Sequence, residues 1–180
     1  MANGVFSGNP RTEWLAEVEA DRNMSLLDDF WYDDPNGRRW TAVAGSILNG
    51  ASIPEPLWSS VGSPYTGDYR RASVVHDIAC ATPGVVRREA DDMFYWACLA
   101  GGCSAAQAKV LYLGVRIGSW ASGAGLFARL DTAARPRLAN ERSRDELILR
   151  AKYTLVADRL SSTPDDFELI RAVVDEELGR

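Results

Sequence analysis

Histidine is almost missing from this chain: among 180 residues there is one, His76. That scarcity removes mechanisms that need several imidazoles, including the multi-histidine metal sites of phosphohydrolases named for a His-Asp pair. Cysteine is scarce and odd in number, with Cys80, Cys98 and Cys103 and no Cys-x-x-Cys spacing. A disulfide framework is not expected from such a set, and a reducing compartment fits it better. The chain also lacks a Gly-x-Ser-x-Gly elbow and a phosphate-cradling glycine loop. Positive charge is in the minority, 20 Lys and Arg against 25 Asp and Glu, for a net charge of −5. The pairs Arg38-Arg39, Arg70-Arg71 and Arg87-Arg88 each lie close to acids, so no nucleic-acid partner is expected. The first residues, Met1 to Phe6, have neither the basic start nor the apolar run of a secretory signal, which makes a cytoplasmic location the expectation. Long apolar runs are missing too. The weakly polar stretch from Ala97 to Leu130 is interrupted by Gln107, Lys109, Arg116 and Arg129, so no transmembrane segment is expected.

What is present suits a folded globule with a real core: 46% apolar and 25% charged residues. Alternation of Trp14, Ala16, Val18 and Ala20 with Leu15, Glu17, Glu19 and Asp21 predicts a strand over 13–21. Two further strands, 26–32 and 38–47, flank Asp33-Asp34-Pro35-Asn36-Gly37, whose Asn-Gly step tolerates positive φ and predicts a hairpin turn. The segment from Asn49 to Trp58 holds Gly50, Pro54 and Pro56 and reads as a loop. Helical spacing follows over 69–81, with Asp68 as its cap. A second helix is expected over 83–100, with Thr82 capping and Pro83 at its first position. Gly101-Gly102 ends it, and Ser104 caps a third helix running to about residue 120, with Gly114 and Gly118 four apart and suited to close packing. Residues 121–138, rich in Ala, Gly and Arg, read as a linker. Two last helices are expected over 141–160 and 164–178, the second opened by Thr163-Pro164-Asp165-Asp166.

The fold expected is therefore α+β: an N-terminal three-stranded antiparallel sheet packed on an antiparallel helix pair, then further helices. A core domain is placed at 1–125 and a helical extension at 126–180. That extension is a candidate surface for an oligomer or partner contact.

His76 lies mid-helix and is followed directly by Asp77; fifteen positions beyond His76 comes Asp91. With a tight turn at 82–84, His76 sits about 7.5 Å before the end of its helix and Asp91 about 9 Å into the next. The two would stand at one height across an interaxial gap of about 8–10 Å, which an imidazole and a carboxylate bridge. Such a pair suits a general base, the carboxylate fixing the tautomer while the other ring nitrogen takes a proton from water. Asp77, about 100° round the helix, offers an oxygen to a hard cation such as calcium. The alternative is that His76, Asp77 and Asp91 satisfy one another as packing partners, with Arg87 or Arg88 as counter-charges. A structural zinc site from His76 and all three cysteines is disfavoured, because Cys98 and Cys103 fall awkwardly although Cys80 is four residues from His76. Aromatics crowd the region before the helix (Phe30, Trp31, Tyr32, Trp40, Trp58, Tyr65, Tyr69), where they line a substrate cleft or fill the hairpin core. Ser52 and Trp58 are the substrate-binding candidates of the loop.

The order Asn49-Gly50-Ala51-Ser52-Ile53-Pro54, Trp58, Ala72-x-x-x-His76-Asp77, Arg87-x-x-Ala90-Asp91-x-x-Phe94 resembles domain-of-unknown-function family 1353. The likeness runs from about residue 26 to 120. It implies occurrence in phage or prophage settings and no settled activity. Asn49 stands where the family pattern has an acid. The helix pair also resembles the core of phospholipases A2. That resemblance implies His76 as the water-activating base, Asp77 as a calcium ligand and Asp91 as the residue orienting His76. The calcium loop and cysteine framework of those enzymes are not found, and Cys80 takes the place of a supporting tyrosine. The reading is a hydrolase acting on a lipid or other ester, set against a non-catalytic phage-type accessory or interaction protein.

Overall fold

A computed structural model describes residues 2–16, 23–50, 53–62, 66–123 and 139–179. It is α+β, and among the described residues there are two three-stranded antiparallel sheets and six α-helices. The strands are β1 (Val5–Phe6), β2 (Thr12–Trp14), β3 (Met24–Leu26), β4 (Phe30–Asp33), β5 (Arg39–Ala42) and β6 (Ile47–Leu48). One sheet has the order β1-β4-β5 and the other β2-β3-β6. The chain divides into two compact units, Met1–Ala51 with Ser63–Ala108, and Ser52–Gly62 with Lys109–Arg180. The boundary expected at 125/126 falls within 124–138, outside the described residues.

In the first unit the predicted hairpin is present. Strand β4 pairs with β5 from Phe30↔Ala42 to Asp33↔Arg39. Its turn is held by Asp34, whose Oδ1 accepts from the Asn36 and Arg38 amides and whose Oδ2 accepts from the Trp40 indole. Gly37 takes φ +83°, the conformation for which Asn-Gly was read as a turn. Period two holds along β5, where Trp40 and Ala42 are buried and Arg39 and Thr41 exposed. The long strands expected on either side are each split. Residues 26–32 bend after Leu26, and 38–47 turn through Val43–Ser46, where the Ser46 amide donates to the Val43 carbonyl. One expected sheet thereby becomes two. The strand expected over 13–21 is observed as β2, and 17–22 lie outside the described residues. Phe30, Tyr32, Trp40 and Tyr69 are buried, so these aromatics serve the core; Tyr65 is not described.

Helix α2 (Arg70–Ala81) packs on α3 (Arg87–Gly101) and on β4, β5 and β6. The cap of α2 is Tyr69 and makes no side-chain bond, in place of the expected Asp68. Helix α3 begins at Arg87, four residues later than expected. Pro83 holds Thr82 extended (ψ 121°), so Thr82 ends α2, with its hydroxyl returned to the Ile78 carbonyl, and Gly84 at φ +83° breaks the helix that would otherwise run on from Pro83. Gly102 closes α3, its amide donating to the Leu99 carbonyl. Ser104 then caps α4 (Ala105–Gly123) by accepting from the Gln107 amide, as expected.

The second unit contains α1 (Trp58–Val61) behind a 3-10 turn at Glu55–Leu57, the rest of α4, α5 (Ala139–Ser161) and α6 (Phe167–Leu178). Helix α6 starts three residues after the predicted Pro164, because Asp166 is the residue whose carboxylate accepts from an amide of the first turn, that of Leu169. Buried Arg116 on α4 reaches Asp175 on α6 at 3.0 Å, and Arg159 on α5 holds Glu176 and Glu177. The expectation that Gly114 serves packing is met, since a Cβ there would lie 3.2 Å from Ile53 Cγ1. Gly114→Ala should shift stability by less than about 1 kcal/mol. Crowding of the flexible Ile53 opposes the roughly 1 kcal/mol that alanine adds to a helix interior, and urea denaturation would measure the balance.

Candidate functional site

The first unit brings four chemistry-bearing side chains together at the α2–α3 contact, His76, Cys80, Arg87 and Asp91. His76 sits on the buried face of α2 with Ala72, Ser73, Val75 and Ala79; Asp91 sits on the buried face of α3 with Ala90, Phe94 and Cys98. The His76 ring lies 4.9 Å from the Phe94 ring, centroid to centroid. His76 Nε2 donates to Asp91 Oδ1 at 2.9 Å, and both side chains are 0% exposed. The bridging geometry expected from the sequence is thus observed. The later start of α3 does not disturb it, because moving the first helical residue leaves the angular phase of Asp91 on its helix unchanged.

Two further members of the cluster are Cys80, which the sequence marks by its spacing from His76, and Arg87, which it offers as a counter-charge. Cys80, one turn beyond His76 on α2 and half-buried, places Sγ 3.5 Å from His76 Nε2 and 3.8 Å from Nδ1. Arg87, one turn before Asp91 on α3, places Nε 3.6 Å from Asp91 Oδ1. That Nε finds no hydrogen-bond acceptor among the described residues. The signal for both was an i,i+4 spacing, which sets two side chains on one helix face without fixing where they point.

Asp77 faces another way. Its Oδ2 accepts from the backbone amides of Asn49 at 2.7 Å and Gly50 at 3.0 Å, so the carboxylate clamps the loop that follows β6. Gly50 has φ +94°, a conformation open to glycine, and this lets successive amides converge on one oxygen. The position where the family pattern carries an acid therefore meets Asp77 through its backbone. Of the two substrate-binding candidates, Ser52 is not among the described residues. Trp58 belongs to the second unit, at the head of α1, where its indole N–H donates to the Ile53 carbonyl at 3.0 Å.

Electrostatics separate the two neighbours on α2. Burial works to lower the His76 pKa, but the hydrogen bonds to Asp91 and Cys80 outweigh it and raise the ring from 6.5 to about 9. The imidazole is accordingly protonated at neutral pH, an imidazolium facing a carboxylate. For Asp77, burial is the largest influence and lifts the carboxyl from 3.8 to about 6, against the lowering effect of the Asn49 and Gly50 amides. A loop that turns N–H groups toward a carboxylate does not supply the six to eight oxygens that calcium takes. The described residues round Asp77 therefore do not fit that ion.

No helix among the described residues is long and apolar enough to cross a membrane. No solved structure matches the chain. A relative in Sinorhizobium fredii (strain NBRC 101917 / NGR234), Uncharacterized protein y4jT, is 37% identical over 112 residues, 62% of this chain and 33% of that protein. A second from the same organism, Uncharacterized protein y4iH, is 37% identical over 102 residues, 56% of this chain and 43% of its own length. The chain thus spans less than half the length of these two relatives. The sequence model of one family, described as "Protein of unknown function (DUF1353)", matches residues 24–115, a stretch that holds β3 to β6, α2, α3 and the whole His76 cluster. By that match over half its length, this chain belongs to the DUF1353 family.

Proposed function

We propose that this protein is a hydrolase of a lipid or other ester in which His76, oriented by Asp91, activates the attacking water. The observation that carries the reading is the 2.9 Å bond from His76 Nε2 to Asp91 Oδ1. It fixes the ring against α3 and leaves Nδ1 as the nitrogen not engaged by the carboxylate. Ring and carboxylate come from two helices that pack on one another, which sets their separation. A base held this way is preorganised for proton transfer. Cys80, half-buried beside the fully buried ring, is the most exposed of the three side chains, and the reading requires water to reach the ring on that flank. Calcium has no part in this reading, because the donors facing Asp77 are amides.

The test is hydrolysis of a panel of short-chain fluorogenic esters and phospholipid vesicles by the full chain and by His76→Asn. Loss of the imidazole should lower kcat by about 10²- to 10⁴-fold, with the far-ultraviolet circular dichroism unchanged. The wild-type rate should rise with pH through about 9, because only the neutral ring accepts a proton. A folded His76→Asn variant that hydrolyses as fast as the wild type, or a wild type inert across the panel, overturns the reading.

A second reading has its own observation, the complete burial of both partners. In it the ion pair is a lock between α2 and α3 in a non-catalytic accessory protein. That reading predicts a lowered Tm for His76→Asn with no hydrolytic activity in either form.

A further inference from the structure

We infer that His76, Cys80 and Asp91 form a binding site for a divalent zinc-like metal ion. The inference does not rest on hydrolysis. The ligand atoms of the three, one each, all lie within 4.8 Å of one another. They combine imidazole, thiolate and carboxylate, the donor types that zinc takes. Two come from one turn of α2 at positions i and i+4, and the third crosses from α3, so the set is held by two packed helices and not by a loop.

The spacings bear directly on the fit. Around a tetrahedral zinc with bonds of about 2.0–2.3 Å, nitrogen and sulfur ligands stand about 3.5 Å apart and nitrogen and oxygen about 3.3 Å. Cys80 Sγ is already 3.5 Å from His76 Nε2. The His76–Asp91 contact of 2.9 Å opens by about 0.4 Å as a metal ion replaces the proton between them. The remaining closure falls on the rotamers of Cys80 and Asp91. A thiolate and a carboxylate balance the two charges of the ion, which lets the site close in a region where His76 and Asp91 are fully buried. Three protein ligands leave a fourth position for water, the pattern of reactive zinc centres and not of closed structural ones.

Arg87 is the opposing group. Its guanidinium Nε, 3.6 Å from Asp91 Oδ1, competes with the ion for that carboxylate. Removing this charge should tighten metal binding, whereas a chance surface site would not respond.

The experiment is titration of the chelator-treated full chain with cobalt(II), followed by its thiolate-to-cobalt charge-transfer band, and then competition with zinc(II). Wild type should show the band at one equivalent. Cys80→Ser should abolish it, and Asp91→Asn should weaken binding at least as much as the roughly tenfold to hundredfold lost with an outer-shell partner. Arg87→Gln should bind several-fold more tightly. Cys103→Ser, which leaves Cys80 in place, should keep the band. Circular dichroism of each variant without metal confirms folding, and Arg87→Gln remains informative if Asp91→Asn fails to fold. No band in the wild type, or a band that survives in Cys80→Ser, overturns the inference. Because the readout is spectroscopic, a chain that binds metal and hydrolyses nothing sinks the hydrolase reading alone. A hydrolase indifferent to chelator and without the band sinks this one alone.

Discussion

Asp91→Ala is expected to lower stability by about 3–5 kcal/mol at neutral pH, the range for removing one partner of a buried ion pair. Asp91 is fully buried and is the carboxylate bound to the imidazolium of His76. Deleting it leaves a buried cation whose ordinary remedy is to lose its proton. That remedy limits the cost, because burial already pulls the His76 pKa downward and only its hydrogen-bond partners hold it up. The same linkage sets the pH dependence. The folded ring titrates at about 9 against 6.5 when unfolded. A raised histidine binds its proton more tightly in the native state, so its contribution is complete below 6.5 and is lost as pH climbs through about 9. The shift corresponds to roughly 3 kcal/mol. Wild-type stability should therefore fall between about pH 6 and about pH 10 by that order, and the Asp91→Ala curve should lack the slope. Urea denaturation at both ends measures it. A gap between variant and wild type that stays constant across the range would mean that Asp91 acts by filling space, and the ion-pair account would fail.

The helix pair was legible in the sequence because a helix phase survives errors in its ends. Taking Thr82 as the cap of α3 misplaced the start by four residues, yet the buried face of Ala90, Asp91, Phe94 and Cys98 follows from spacing alone. The hairpin was legible because Asp34, Asn36 and Gly37 carry their turn locally. The division into two sheets was not. Residues 26–32 and 38–47 each read as one strand, and whether such a stretch runs straight or turns depends on which strands it meets. Leu26 pairs onward from β3 with Ser46, its amide donating to the Ser46 carbonyl, a partner twenty positions away. Strand β1, two residues long, is too short for any alternation to register. Within the site, the pairing of His76 and Asp91 followed from helix geometry. The partner of Asp77 did not, because backbone amides of a loop twenty-eight positions away carry no side-chain signature. Cys80 is visible in the sequence as a spacing and as a replaced tyrosine, while its contact with the ring depends on the rotamer that aims its sulfur there.

The clamp at Asp77 leads to an expectation opposite in sign to the first. Asp77→Asn should stabilise the protein at neutral pH, by up to roughly 3 kcal/mol, the value of its carboxyl shift. The carboxyl titrates at about 6 in the fold against 3.8 ordinarily, with burial the largest cause. Here the usual carboxylate case is reversed. A raised acid binds its proton more tightly when folded, so its charge costs nothing below 3.8 and destabilises increasingly as pH rises to about 6, with the full cost above. An asparagine oxygen accepts from the Asn49 and Gly50 amides just as the carboxylate does, without bringing a charge into the fold. The stronger hold of the two amides on the ionised acceptor is already contained in that net shift. The pH profile separates charge from packing. The difference between Asp77→Asn and wild type should vanish below about pH 4 and reach its plateau above about pH 7. A destabilised variant at neutral pH would show that the ionised clamp holds the loop by more than burial costs. A stabilised one would mean that the chain keeps a negative charge beside His76 although the fold is better without it, and such a residue belongs to function before structure.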